Sequence, residues 1–200
     1  MNDSEKLLAI DTCGDSAIVA LSVRGTLLGE TLGSRTASAQ LVAVVRSLLQ
    51  RGGCALDELN AIAVVNGPGS FTGVRVGVAA VKGLCEAKRV PLIAMSRLAV
   101  LAESEPTAWA VLDAGRGETY VRNVSGQEFL EAAVWQPPAG MRLVTADENA
   151  TQRLSATLVR IEATTLLAAA RRRLAAKEFC DASALDANYV RREEQLYART

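Results

Sequence analysis

The sequence predicts an α/β protein made of two related lobes, and three observations carry that reading. Short apolar runs of strand length alternate with longer stretches of helical periodicity. A strand–acid–turn–strand opening around Asp11 and Gly14 recurs around Asp113, Gly115 and Gly117. A glycine-rich string, Asn-Gly-Pro-Gly-Ser-Phe-Thr-Gly-Val-Arg-Val-Gly over residues 66–77, joins one apolar run to a helical stretch.

The elements follow in order. Leu7–Asp11 is an apolar strand ending in an acid. Ala17–Val23 and Thr26–Glu30 flank Arg24-Gly25, a two-residue hairpin turn. Thr36–Arg51 has helical spacing, with Leu41, Val44, Val45, Leu48 and Leu49 on one side, and Gly52-Gly53 ends it. Ala61–Val65 is a buried strand entering the glycine corner. Thr72–Arg89 is a second helix and Val90–Ala94 another strand, after which Ser96 caps a helix over 97–103. The second unit opens with Ala108–Asp113 and Glu118–Val124. The run 135–140, Trp-Gln-Pro-Pro-Ala-Gly, is a loop, and Thr164–Phe179 is a helix whose Arg171–Arg173 reads as a solvated face. Tyr189–Glu194 reads as a polar, extended tail. The division is an N-terminal lobe over 1–104, holding the glycine corner and two interface helices, and a smaller C-terminal α/β lobe over 105–200.

In the corner, Gly67, Gly69 and Gly73 widen the backbone's options, Pro68 stiffens the turn, and Ser70 or Thr72 caps the helix that carries Arg75. Free N–H groups at a helix start suit a phosphate or an acidic partner group. No Gly-Lys-Ser/Thr follows at Walker A spacing, and Ser70 is not framed as Gly-x-Ser-x-Gly. From the residues alone, a structural corner and a ligand site both stand.

Composition narrows the chemistry. With 22 basic and 22 acidic residues the formal charge is +0, and aromatics are 4%. Neither fits a dedicated nucleic-acid surface. The absence of histidine removes Ser-His-Asp and Cys-His catalysis and HExxH zinc sites. Cys13, Cys54, Cys85 and Cys180 form no CxxC pair, and read as reduced core residues of a cytoplasmic protein. The opening lacks the basic start and apolar run of a signal peptide, and no apolar stretch reaches membrane-span length.

The second helix asks for two neighbours. On a helical wheel Arg75, Lys82, Glu86 and Arg89 share an arc of about 60°. Val74, Val78, Val81 and Cys85 form one apolar stripe, and Gly73, Gly77, Ala80 and Leu84 a second, small one. A helix apolar over most of its circumference is buried on more than one face. The second cover is either the chain's own other layer or another subunit.

Four segments, taken together, resemble one family. They are Leu8–Thr12 (Leu-Ala-Ile-Asp-Thr), Gly67–Gly77, Asp113–Tyr120 (Asp-Ala-Gly-Arg-Gly-Glu-Thr-Tyr) and Asn188–Arg191 (Asn-Tyr-Val-Arg). In that order they resemble the bacterial TsaB (YeaZ) family, which helps make threonylcarbamoyladenosine beside the anticodon of tRNAs. The resemblance implies a two-lobed actin-like, Hsp70-like ATPase fold with duplicated mixed sheets. It implies a non-catalytic partner of the TsaD-type subunit that also serves the TsaE-type ATPase, forms a homodimer when alone, and meets tRNA only through the complex. It implies no cofactor or metal of its own, with ATP or ADP only in the complex with TsaD and TsaE. The implied contact is a helix bundle from Ala39–Leu49 and Val74–Cys85. Gly77→Leu is expected to block that contact and leave the chain folded.

Two departures stand out. Family members commonly carry Arg-x-His-Ser before the first helix, where this chain has Ala37. The later motif usually has two arginines after Asp-Ala, and here Gly115 replaces the first. Asp11 and Asp113 read as turn-formers, because no lysine nearby meets phosphate charge. The competing reading is a small ATP-binding kinase or nucleotide hydrolase of the same fold class. A peptidase reading lacks histidine, elbow and metal motif.

Overall fold

Two mixed sheets, each repeating the other's strand order, organise the chain. The computed structural model describes residues 5–132 and 135–188. The tail segment Tyr189–Glu194, and all but the first residue of the Asn188–Arg191 motif, lie outside these.

The first sheet comprises β1 (Lys6–Asp11), β2 (Ser16–Val23), β3 (Thr26–Gly33), β4 (Ala61–Val65) and β5 (Leu92–Met95), in the order β3-β2-β1-β4-β5. β1, β2 and β3 pair antiparallel, and β1, β4 and β5 parallel. Its helices are α1 (Ser34–Gly52), α2 (Phe71–Lys88) and α3 (Arg97–Ala102). The second sheet comprises β6 (Trp109–Gly115), β7 (Glu118–Arg122), β8 (Glu128–Glu131), β9 (Leu143–Thr145) and β10 (Thr157–Leu158), with α4 (Glu148–Leu154) and α5 (Ala163–Ala175). Its order β8-β7-β6-β9-β10 is that of the first sheet, strand for strand and direction for direction. The expected two-lobed α/β architecture is therefore present. The elements over 128–158 were not anticipated from sequence; β9 and β10 have three and two residues, too few to show a period.

The helices cross between the repeats. α1 lies over β2 and β3 and α2 over β4, all on the first sheet. α5, from the C-terminal half, covers the opposite face against β1, β2 and β5. α3, from the N-terminal half, packs on β6, β7 and β9 of the second sheet and beside α5. Helices on both faces bury β4 and, past half-buried Lys6, β1, which is why Ala61–Val65 and Leu7–Ile10 read as unbroken apolar runs. One large core of Leu, Ile, Val and Ala spans both halves, and a smaller one around Val111, Val121 and Leu143 sits under Trp109, Phe129 and Trp135.

Turn chemistry places the ends. Gly53 closes α1 with φ 58°, its N–H donating to Gln50 O while Cys54 N–H reaches Leu49 O at 3.0 Å. Arg171 departs from the solvated-face expectation. Its Nε donates to Glu5 Oε1 at 2.7 Å and a terminal nitrogen to Ser22 Oγ at 2.6 Å, clamping α5 to the first sheet. Arg172, by contrast, is exposed and pairs with Glu103 at 3.2 Å.

Candidate partner interface

The glycine corner is tied down by three other parts of the chain. Gly67 O accepts from Arg97 N–H at 2.7 Å, and Asn66 O from Asn188 N–H at 2.6 Å. Ser70 N–H donates to Cys13 O at 2.8 Å, and Cys13 Sγ–H to Val65 O at 3.2 Å. A side chain at Gly69 would strike the Cys13 carbonyl, so the absent Cβ is what lets the corner rest on the β1–β2 turn. Gly67 and Pro68 are joined by a cis peptide. Ser70, rather than Thr72, caps α2 by accepting from Gly73 N–H at 3.2 Å. The corner's backbone groups thus bond largely within the chain, and the structural alternative accounts for these glycines.

Gly73 and Gly77 have the same explanation. A Cβ on Gly73 would meet the Thr12 carbonyl, and one on Gly77 the Thr12 hydroxyl, which itself donates to Gly73 O at 2.6 Å. The first turns of α2 therefore lie directly on the end of β1. This corrects the expectation that Gly77→Leu would leave the isolated chain folded.

The candidate interface residues divide in two. Leu41, Val45, Leu48, Val74, Gly77, Val78, Val81 and Cys85 are buried in the chain's own core, so they position the two helices and present no free surface. Gly73, Val44 and Ala80 are half-buried between helices and turn. The outward side of α2 carries Thr72, Val76, Ala79, Gly83 and Ala87, with no charge among them. Arg75, Lys82 and Glu86 run along one flank, and the Arg75 guanidinium lies 3.3 Å from the centroid of the Phe71 ring. Phe71 is 64% exposed, and on α1 Val42 is 51% exposed. Between the helices runs an apolar groove of about 440 Å³, lined by Val42, Val45, Leu49, Leu56 and Leu84. The signal for this face lay in the wheel itself. Ala79 and Gly83 stand opposite Val74, Val78 and Val81, so they point outward once the valines are buried.

The two acids behave as turn-formers. Asp11 Oδ1 accepts from Cys13 N–H at 2.8 Å, and Asp113 Oδ1 from Gly115 N–H at 3.0 Å. Each also meets an arginine, Arg97 Nε 3.6 Å from Asp11 and Arg153 3.7 Å from Asp113. Gly115 sits at φ 73°, a left-handed conformation that a glycine adopts without strain. Ala37 is buried beside Thr12 and Gly73. Asp11 is 1% exposed and borders a cavity of about 470 Å³ with Asp15, Arg97, Glu148, Arg160 and Glu162. Burial first, and then the charge of Asp11, push the Cys13 thiol well above its ordinary range, so it is no ready nucleophile. Among the described residues no group of three or more Cys, Asp or Glu could hold a metal ion, and no helix is long and apolar enough to cross a membrane.

The family model for TsaD, tRNA N6-adenosine threonylcarbamoyltransferase, matches residues 31–179. The TsaB protein of Escherichia coli K12, a tRNA threonylcarbamoyladenosine biosynthesis protein, is 35% identical over 125 residues, 58% of this chain and 53% of that one. The Haemophilus influenzae TsaB is 34% identical over 142 residues, 65% of this chain and 60% of that one. The solved structure of YeaZ from Pseudomonas aeruginosa superposes with a TM-score of 0.78 at 27% identity, covering 92% of this chain and 99% of that one. The chain belongs to the TsaB (YeaZ) family. It spans between half and about three-fifths of the length of these curated TsaB relatives. A TsaD-type transferase from Dehalococcoides mccartyi is 38% identical over 65 residues, 32% of this chain.

Proposed function

We propose that this chain is a non-catalytic scaffold subunit in tRNA threonylcarbamoyladenosine biosynthesis. It pairs with a TsaD-type transferase through the outer face of α1 and α2, supports a TsaE-type ATPase, and self-associates through the same face when alone. ATP or ADP is bound only in the assembled complex, and tRNA is met only there. The observation that carries this reading is the uncharged outer stripe of α2, with Phe71 and Val42 exposed beside an apolar groove. Small residues let a partner helix approach closely, and an exposed apolar patch of this kind marks a protein–protein surface. The TsaB names of the relatives support the pathway, and the match to the TsaD family model supports a partner of that type.

Ala79→Arg and Val42→Arg test it, because both positions are exposed and neither change disturbs the core. Each should weaken binding to the TsaD-type subunit at least tenfold in calorimetry. Seating an unpaired charge in an interface costs more than about 1.4 kcal/mol, a factor of ten in Kd. Unchanged affinity in both variants would move the interface elsewhere.

A further inference from the structure

We propose that Cys85 and Cys180 form a dithiol that hydroperoxides close into a disulfide, tying the segment after α5 to α2. The two residues come from elements far apart in sequence and border one cavity of about 300 Å³, together with Arg89, Leu92, Phe179 and Ala182. Cys180 is held in place by its backbone. Its N–H donates to Leu92 O at 2.9 Å, and the two residues form a single antiparallel bridge at the edge of the first sheet. Cys85 is buried on the side of α2 that faces the core, whereas Cys180 is half-buried and open to a small oxidant beside exposed Phe179. The other cysteines are engaged elsewhere, Cys13 with Val65 O in the glycine corner and Cys54 with Ala55 O at the end of α1.

The electrostatics agree with this neighbourhood. Burial pushes the Cys85 thiol up to about 11, and the charge of Cys180 adds to that rise, as nearby thiols do. Burial also raises Cys180. Glu86 and Arg89 on the α2 side and Asp181 beside Cys180 are the charged groups at the cavity. The step balances simply. The Cys180 thiolate attacks the distal peroxide oxygen, the O–O bond breaks, and Cys180 becomes a sulfenic acid as the peroxide is reduced to an alcohol or water. The Cys85 sulfur then attacks the sulfenic sulfur, forming the S–S bond and releasing water. Both thiols are oxidised by one two-electron equivalent. With both thiols raised by burial the thiolate fraction is small, so the reaction is slow at neutral pH.

The test treats the reduced full chain with a small excess of hydrogen peroxide, alkylates the remaining thiols and maps the peptides. The expected result is loss of two of the four thiols and a Cys85–Cys180 cross-linked peptide that reductant removes. In Cys180→Ser, checked for fold by circular dichroism, no intramolecular cross-link should form. A sulfinic acid or an intermolecular bond at Cys180 with Cys85 still alkylated would overturn the proposal. So would four intact thiols under conditions that oxidise free cysteine.

Discussion

Two glycines in one helix should respond oppositely to the same substitution. Gly77 and Gly83 both lie inside α2, where replacing glycine with alanine gains about 1 kcal/mol of helix propensity. At Gly83 nothing lies within 4 Å of an added Cβ, so the gain is realised in full. At Gly77 the methyl meets the hydroxyl of Thr12, a residue only 4% exposed, whose Cβ and Cγ2 stand 3.5 and 3.6 Å away. To make room, α2 lifts from the turn and Thr12 rotates, giving up its 2.6 Å bond to Gly73 O. Overpacking costs about 1–3 kcal/mol and the lost bond about 1 kcal/mol. Net of propensity, Gly77→Ala should destabilise by about 1–3 kcal/mol while Gly83→Ala stabilises by up to about 1 kcal/mol. For a chain of this size that separates the two melting temperatures by roughly 4–16 °C. Urea and thermal unfolding of the isolated chain measure it. Adding Thr12→Ala should relieve most of the Gly77→Ala penalty, since neighbours in contact are not additive. If Gly77→Ala proves as stabilising as Gly83→Ala, the argument for close contact between α2 and the β1 end fails.

Other outcomes follow from the same geometry. Arg171→Met should cost about 1–2 kcal/mol in urea unfolding, because the charged bonds to Glu5 and to buried Ser22 are lost, and added salt should shrink the difference. The Cys85 thiol, raised to about 11 in the folded chain, stays protonated after its unfolded counterpart ionises near 9. Its contribution is therefore fully present below pH 9 and is lost as pH climbs to 11, so Cys85→Ala should flatten that part of the stability profile. Arg153→Ala should loosen the β6–β7 turn, because Arg153 donates to Glu118 O at 3.1 Å and to the buried Thr119 hydroxyl at 2.8 Å. Faster amide exchange at residues 115–119 is the readout.

Where burial alone decides the pattern, the chain was legible. β1 and β4 are apolar because helices cover both faces, and Gly53 ends α1 because a left-handed residue is needed there. The Asp11 and Asp113 turns could be read because a carboxylate bonding two residues on is a local event. The residues the sequence offered for an interface do lie on α1 and α2, but most of them face the chain's own core. Gly73 and Gly77 look like a stripe for a partner helix, yet the group pressing on them is Thr12, some sixty residues earlier, and no local pattern reveals that neighbour. Arg171 sits in a run of three arginines that resembles a solvated face, and only the swap of α5 onto the first sheet brings Glu5 and Ser22 to it.

That swap also explains why α1 and α2 are left with an open face. Each sheet needs cover on two sides. α5 closes the inner side of the first sheet and α3 the inner side of the second, so the joint between repeats is filled by helices exchanged across it. The outer side of the second sheet is closed by short α4 and by Trp109, which stacks on Trp135 at 6.4 Å and meets Phe129 edge-on at 6.2 Å, with no helix among the described residues between β8 and β9. The outer side of the first sheet instead carries two helices of 19 and 18 residues. Their inner stripes already complete the core, so an uncharged stripe on the far side of α2 does nothing for the monomer. A helix kept small and neutral along its solvent side suits a close neighbour, and that asymmetry between the two repeats is why the proposed partner surface is set on α1 and α2.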